Sequence, residues 1–95
     1  MSEYRIRNGI VLESICGRYV LISTEAARDE CDYIRLIDPM VAFYWEMMEN
    51  GLSVDEMAEK AAELFPDINR ETVRNDIDDL ITQLKDFGYL LKDDE

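Results

Sequence analysis

The side chains that could do acid–base or metal chemistry in this chain are almost all carboxylates. Its 95 residues include 22 Asp and Glu, 10 Lys and Arg and no His, which gives a net charge of −12. Carboxylates recur at helical spacing, as in Asp76 with Asp79 and Glu59 with Glu63. A solvated helix surface explains these spacings better than a catalytic pair, because they arise by chance on any acidic helix. An acyl-transfer triad would lack its imidazole, so we expect no catalytic residue and no enzyme activity.

The sulfur-containing and glycine residues predict no metal or cofactor site. Cys16 and Cys31 are far apart, and no Cys-x-x-Cys pair or histidine accompanies them, so zinc and iron–sulfur ligation are not expected. Free thiols are favoured over a disulfide. A phosphate-binding loop is also absent from the pattern, since each glycine stands alone at a turn or helix end. These glycines are Gly9, Gly17, Gly51 and Gly88.

Charge and hydropathy restrict the class of protein. A net charge of −12 repels phosphate backbones and anionic lipid, so we expect no nucleic-acid and no membrane partner. The sequence has no apolar run of about 18 residues, the length of a membrane span. Its first residues also lack the basic segment followed by an apolar segment that is typical of a signal peptide. We therefore expect a soluble, cytoplasmic protein with one domain over residues 1–95 and a core over about residues 8–92.

Two runs of β-branched and aromatic residues on either side of Cys16-Gly17 predict a β-hairpin, in which Gly17 can take the positive φ of the turn. The expected register pairs Ile15 with Arg18, Leu12 with Leu21 and Val11 with Ile22. A third strand is predicted from Cys31 to Ile37, where apolar and polar residues partly alternate.

Both faces of the hairpin carry large apolar side chains, and three helices can cover only one of them. Two outcomes follow equally well from this imbalance. Either the chain forms a homodimer in a concentration-dependent manner, or Tyr4 and Ile6 fold back as a lid.

Three helices follow the third strand. Asp38 is a candidate N-cap and Pro39 suits the first position of the first helix, which Asn50-Gly51 ends. Ser53 and Glu56 form a predicted capping box for the second helix, which extends to about Leu64. The third helix is predicted from a cap near Asn69 to Phe87, with Gly88 as its terminator, and its apolar face is expected to organise the core. That face comprises Val73, Ile77, Leu80, Ile81, Leu84 and Phe87.

The order of elements predicts an α+β, winged-helix-like fold: a three-stranded antiparallel sheet followed by three helices. A winged-helix DNA-binding regulator is the obvious function for that shape. However, the third helix carries five acidic residues against Arg70, Arg74 and Lys85, which argues against contact with phosphates. A purely structural oligomerisation module is a third possibility.

Another resemblance covers more of the chain, roughly Asn8 to Lys92. The segments that carry it are Gly9–Glu13, Arg18–Ile22, Tyr33–Leu36, Ala42–Glu46, Leu52–Ala58 and Leu84–Leu90. In their order and spacing they resemble the PqqD-like family, the recognition elements of pathways that make and modify ribosomal peptides. The resemblance implies that the chain binds the leader of a precursor peptide and presents it to a separate modifying enzyme, which in this family is often a radical S-adenosylmethionine protein.

The resemblance also implies a place and a mode of binding. The leader adds itself as an extra strand along the third strand, and its side chains enter the groove between that strand and the third helix. The strand residues expected to contact it are Asp32, Tyr33, Ile34, Arg35 and Leu36. The helix residues expected to contact it are Arg70, Arg74, Ile77, Asp78, Ile81 and Lys85.

The cations of the third helix add a further expectation. At about 100° per residue, Arg70, Arg74 and Lys85 fall in one sector beside Ile81. If that sector faces the third strand, Arg35 adds a fourth positive group and the groove suits a leader with one or two Asp or Glu residues between apolar anchors. The alternative is that these cations only pair with Asp78 and with acidic neighbours on other elements.

Overall fold

The computed structural model describes residues 4–24, 27–29 and 31–92. It contains the predicted fold, a three-stranded antiparallel sheet of order β1-β2-β3 followed by three helices. The strands are β1 (Ile10–Ile15), β2 (Arg18–Ser23) and β3 (Ile34–Ile37). The helices are α1 (Pro39–Glu49), α2 (Val54–Leu64) and α3 (Arg70–Phe87).

The β1–β2 hairpin has the predicted register, with Ile15 opposite Arg18 and Leu12 opposite Leu21. Its two turn residues both have positive φ, 52° at Cys16 and 77° at Gly17. That geometry matches the right-handed twist of the two strands, so a two-residue turn fixes the pairing of the whole hairpin. The thiol of Cys16 is free and exposed at the turn.

The third strand is shorter than predicted, because residues 31–33 form other hydrogen bonds. The amide of Cys31 donates to the carbonyl of Ala27, and the Ser23 hydroxyl donates to the carbonyl of Asp32. Only the Tyr33 carbonyl, which accepts from the Ser23 amide, continues the β2–β3 ladder before Ile34. The prediction that the strand begins at Cys31 is therefore wrong by three residues.

The first helix begins at Pro39 as predicted. Asp38 is its N-cap, but the Asp38 side chain makes no capping hydrogen bond. In α2 the predicted capping box is complete: the Glu56 amide donates to the Ser53 hydroxyl, and the Ser53 amide donates to the Glu56 carboxylate. The hydrogen bond from the Ser53 amide is the main reason that the pKa of Glu56 is lowered.

The longest helix, α3, also has the predicted ends. The Asn69 side chain caps its start, and Gly88, at φ 90°, ends it in the left-handed conformation. The amide of Tyr89 then donates to the carbonyl of Leu84, which turns the chain back over the helix. None of the helices in the described part of the chain has the length and hydropathy that a membrane span requires.

The core lies between the helices and one face of the sheet. Trp45, Tyr89 and Ile77 are fully buried, and the rings of Trp45 and Tyr89 meet edge to face at 6.5 Å. Tyr4 is part of this core and lies close to the carbonyl of Leu52, to which its hydroxyl donates. Ile6 packs against the same cluster and pairs with Leu90. The prediction of a lid is therefore wrong, because these two side chains lie on the helix side of the molecule.

The opposite face of the sheet, here called the outer face, carries exposed apolar side chains. They are Val11, Ile15, Ile34 and Leu36, and the buried Val20 and half-buried Ile22 lie between them on the same face. Within the described residues the outer face has no helix packed on it.

Candidate functional site

The third strand lies at the edge of the sheet. Within the described residues it pairs with β2 on one side and with no strand on the other. The Ser23 amide donates to the Tyr33 carbonyl, and hydrogen bonding alternates along an antiparallel ladder. Arg35 and Ile37 therefore direct their amides and carbonyls to β2. Ile34 and Leu36 direct theirs outward, where another strand can pair with them.

The side chains of β3 alternate in the same way. Ile34 and Leu36 lie on the outer face and are 51% and 57% exposed. Arg35 and Ile37 are half-buried on the side of the helices. A strand that pairs with β3 would therefore place every second side chain next to Arg35 and Ile37.

A cavity of about 220 Å³ opens on that side, between β3 and α3. On α3 its wall consists of one helix face at spacings of three and four residues. The helix residues of this wall are Leu80, Gln83, Leu84 and Phe87. The other lining residues are Arg35, Leu36, Ile37, Asp38 and Val41. We call this cavity the β3–α3 groove.

One end of the groove is formed by Arg35 and Phe87. The guanidinium carbon of Arg35 lies 4.1 Å from the centroid of the Phe87 ring, and Nη2 donates to the Asp32 carboxylate at 2.6 Å. Arg35 Nε is buried and has no hydrogen-bond partner among the described residues. Because the guanidinium stacks on the Phe87 ring, its plane is oriented and it presents its donors in one direction at the groove.

Tyr89 lies beneath this end. Its ring is fully buried, and its hydroxyl lies within reach of the Arg35 guanidinium but makes no hydrogen bond of good geometry with it. Burial raises the pKa of Tyr89, while the nearby Arg35 guanidinium acts in the opposite direction. The phenol therefore stays neutral, and the positive charge at this end of the groove is that of Arg35.

The other end of the groove is aliphatic and opens beside the start of α1. Ile37, Val41 and Leu80 line it, and Asp38 stands at its rim. A second cavity, of about 240 Å³, continues from Asp38 along the hairpin turn. Its lining consists of Gly17, Arg18, Tyr19, Leu36, Ile37, Asp38 and Pro39.

The comparison with protein families decides what this fold is. The model of the family described as coenzyme PQQ synthesis protein D (PqqD) matches residues 18–90, which include β2, β3, the groove and all three helices. The chain belongs to the PqqD family.

A solved structure has the same fold as this PqqD-family chain. It is TbiB1 in complex with the TbiA(beta) leader peptide, with a TM-score of 0.75 and 20% sequence identity over 92% of this chain and 94% of that chain. No curated protein matches the chain in sequence.

Two of the predicted contact residues of this PqqD-family chain lie away from the groove. Arg70 pairs with Glu59 at 3.2 Å, and Arg74 pairs with Asp55. Both partners belong to α2, so the structure places these cations on the flank of α3 that faces α2. The expectation that they face the third strand is not what the structure shows, and peptide binding by them stays a prediction.

The remaining predicted residues divide among the core, the surface and the groove. Ile77 and Ile81 are buried in the core, where they hold α3 in place. Asp78 is exposed and Lys85 half-buried, both on α3. Tyr33 is 55% exposed, and the Arg28 guanidinium lies over its ring at 4.7 Å.

Sequence reasoning missed the α3 wall of the groove. It assigned Leu80 and Phe87 to the core, whereas Leu80 is half-buried and Phe87 is 44% exposed. Gln83 and Val41 were not singled out at all. The sequence contained a signal for this wall. A helical wheel of α3 places Leu80, Gln83 and Phe87 on one flank of the apolar face, and it places the three cations on the opposite flank.

Proposed function

We propose that this chain binds the leader segment of a ribosomally synthesised precursor peptide and presents it to a separate modifying enzyme. The leader adds a strand to β3, and alternate side chains enter the β3–α3 groove. The observation that carries the proposal is the position of a free strand edge directly beside an apolar groove. TbiB1, whose fold this chain shares, was solved with a leader peptide.

The backbone of β3 supports this mode of binding. Ile34 and Leu36 direct two amides and two carbonyls outward, and an extended peptide satisfies these groups with its own backbone. Exposed strand edges that are not meant for a partner are usually protected by proline, charge or a bulge. The exposed residues at this edge, Ile34 and Leu36, are apolar, and its one charged residue, Arg35, lies on the side of the groove.

The chain itself would act as a peptide chaperone and not as a catalyst. A separate enzyme, for which the family resemblance suggests a radical S-adenosylmethionine protein, would carry out the modification. This division agrees with the absence of histidine from the sequence.

DNA binding receives no support from the surface. A recognition helix must offer cations to phosphates, whereas Arg70 and Arg74 of α3 pair with α2. Binding that falls steeply with added salt would be the sign of a nucleic-acid partner.

Amide hydrogen exchange tests the proposal at the level of single residues. The probe is a set of synthetic peptides that cover the N-terminal parts of the short reading frames beside the gene. A peptide that adds a strand to β3 should slow exchange of the Ile34 and Leu36 amides.

The outward amides of β1 serve as the internal control. The Thr24 amide donates to the Gly9 carbonyl, so alternation directs the amides of Leu12 and Ser14 away from β2. Their exchange should not change when peptide binds. Protection at Leu12 and Ser14 in place of Ile34 and Leu36 would show that the docking edge is β1.

A further inference from the structure

The ladder determines which leader residues reach the groove, provided that the leader adds a strand to β3, as the proposed function requires, and that this strand is antiparallel like both pairs already in the sheet. Residues directly opposite each other share a face of the sheet. The leader residues opposite Ile37 and Arg35 therefore point into the groove, and they are two positions apart. We call them the first and second inward residues, since an antiparallel leader meets Ile37 before Arg35.

The first inward residue meets an aliphatic surface. Ile37, Val41 and Leu80 line that end of the groove, and Leu84 continues it towards Phe87. Only an apolar side chain of the leader gains from removing this surface from water. The first inward residue is therefore an apolar anchor such as Leu, Ile, Val or Phe.

The second inward residue meets the Arg35 guanidinium. Of its five N–H donors, one is bonded to Asp32 and the Nε donor is buried, so the remaining donors on the two terminal nitrogens are the ones that a leader can reach. The Asp32 carboxylate is 65% exposed, so its ion pair with Arg35 is weakly held. A half-buried guanidinium with donors to spare binds a second carboxylate in a fixed planar geometry.

Ladder geometry brings the two charged groups close together. Ile34 and Leu36 form the hydrogen-bonded pairs with the leader, so Arg35 belongs to a non-hydrogen-bonded pair. Side chains approach each other most closely in such pairs, at a Cα separation of about 4.5 Å. An Asp or Glu opposite Arg35 therefore reaches the guanidinium without leaving its strand.

We propose that the β3–α3 groove selects leaders with an apolar residue followed two positions later by Asp or Glu, read from the N-terminus to the C-terminus. Arg35 is the specificity-determining residue, and the order of the two leader residues fixes the direction and register of the leader on β3. This selection is local, because the chain as a whole, at a net charge of −12, repels acidic peptides.

A random decapeptide display library, selected against the full-length chain, tests the inference without knowledge of the precursor. Selected peptides should be enriched in an apolar residue followed at the second position by Asp or Glu. In synthetic copies of a selected peptide, changing that acidic residue to its amide should weaken binding about tenfold at low salt.

Variants of the chain assign the preference to a residue. With Arg35→Glu, selection at the second inward position should move to Lys and Arg, while the apolar preference persists. Arg35→Gln, which keeps a polar side chain of similar length, should fold as the parent does and lose the acidic preference. Lys60→Glu, a charge reversal at an exposed position of α2, is the control and should select the same peptides as the parent.

Three outcomes overturn the inference. An acidic residue that comes before the apolar one contradicts the direction, and an unchanged acidic preference in Arg35→Gln contradicts the role of Arg35. In the third outcome, selected peptides slow exchange of the Ile34 and Leu36 amides and are enriched in apolar residues without any charge preference. That result contradicts the pairing of Arg35 with a leader carboxylate but agrees with leader binding at β3. Selected peptides that leave exchange at β3 unchanged would instead overturn the proposed function.

Discussion

The sheet has two edge strands, β1 and β3, and among the described residues the groove lies beside β3. The β1 edge is the longer, with six residues against four, and the amides of Ile10, Leu12 and Ser14 point outward from it. Its last three residues, Glu13 to Ile15, are exposed on both faces of the strand. By contrast, β3 has α3 alongside it, and Arg35 and Ile37 line the cavity between them.

Under the proposed function, in which the shorter strand β3 is the docking edge, strand length does not decide where a peptide docks. A backbone edge offers the same hydrogen bonds to every peptide, so it contributes affinity but no sequence selectivity. Selectivity requires a surface that contacts alternate side chains of the peptide. Beside β3, the wall formed by α3 is such a surface. The predictions below compare changes at the two edges or on the two flanks of α3.

The largest effect is expected from a proline on the docking edge. Leu36→Pro removes an outward amide and places a ring where the leader backbone must approach, so leader binding should fall about a hundredfold. Ser14→Pro makes the same change at an outward amide of β1 and should leave binding intact. Titration calorimetry of both variants, with thermal melts to compare their stability, measures the difference. Equal losses of affinity would contradict the assignment of β3 as the docking strand.

A smaller effect is expected from removal of the aromatic wall. Phe87→Ala deletes the ring on which Arg35 stacks, and leader binding should weaken by about 1 to 2 kcal/mol, roughly 5- to 30-fold. Phe65→Ala is the matched control, because Phe65 is 40% exposed against 44% for Phe87 and follows α2. Fluorescence anisotropy with a labelled leader peptide gives both affinities. If Phe65→Ala weakens binding as much as Phe87→Ala does, the site is not the β3–α3 groove.

Weak self-association through the outer face stays a prediction. The exposed apolar side chains of the outer face favour contact with a second copy of the chain. Because three short strands form a small surface, we expect that contact to be weak. Sedimentation velocity over a wide concentration range should show a shift towards dimer at the highest concentrations. Val11→Lys should reduce that shift, and a monomer at every concentration in the parent chain would remove the dimer.

The smallest effect on leader binding is expected from the α2 flank of α3. Arg74→Glu breaks the pair with Asp55 and sets two carboxylates side by side, which should lower the free energy of unfolding by about 0 to 1 kcal/mol because both groups are exposed. Leader affinity should not change. Urea unfolding and leader titration on the same preparation separate the two quantities, and the Asp55→Arg, Arg74→Glu double variant should recover the stability. A tenfold loss of affinity would return Arg74 to the binding site.

The elements were predictable where local chemistry decides them. The two-residue turn at Cys16-Gly17 leaves one register for the hairpin, and the structure has that register. The Ser53–Glu56 capping box and the glycine at Gly88 mark helix ends by satisfying orphan backbone groups, which depends only on neighbouring residues.

The site was less predictable because its placement depends on packing between distant segments. A helical wheel gives the angles of Arg70 and Arg74 around α3 but not the element that each flank meets. The partners on α2, Asp55 and Glu59, have the same four-residue spacing as the two arginines. A search for matching acidic and basic spacings on antiparallel helices would have placed these cations on the α2 flank, and it would have left the opposite flank for the groove.

The shortness of β3 affects how long a leader stays bound. Two outward residues offer four backbone hydrogen bonds, each contributing about 0.5 to 1.5 kcal/mol, while association costs about 4 to 15 kcal/mol. The ladder alone does not offset that cost, so the two inward side chains must supply most of the affinity. At a dissociation constant of about 1 μM and an ordinary association rate of about 10⁶ M⁻¹s⁻¹, a leader would leave within about a second. Such a rapid exchange lets one copy of the chain deliver many precursors in turn.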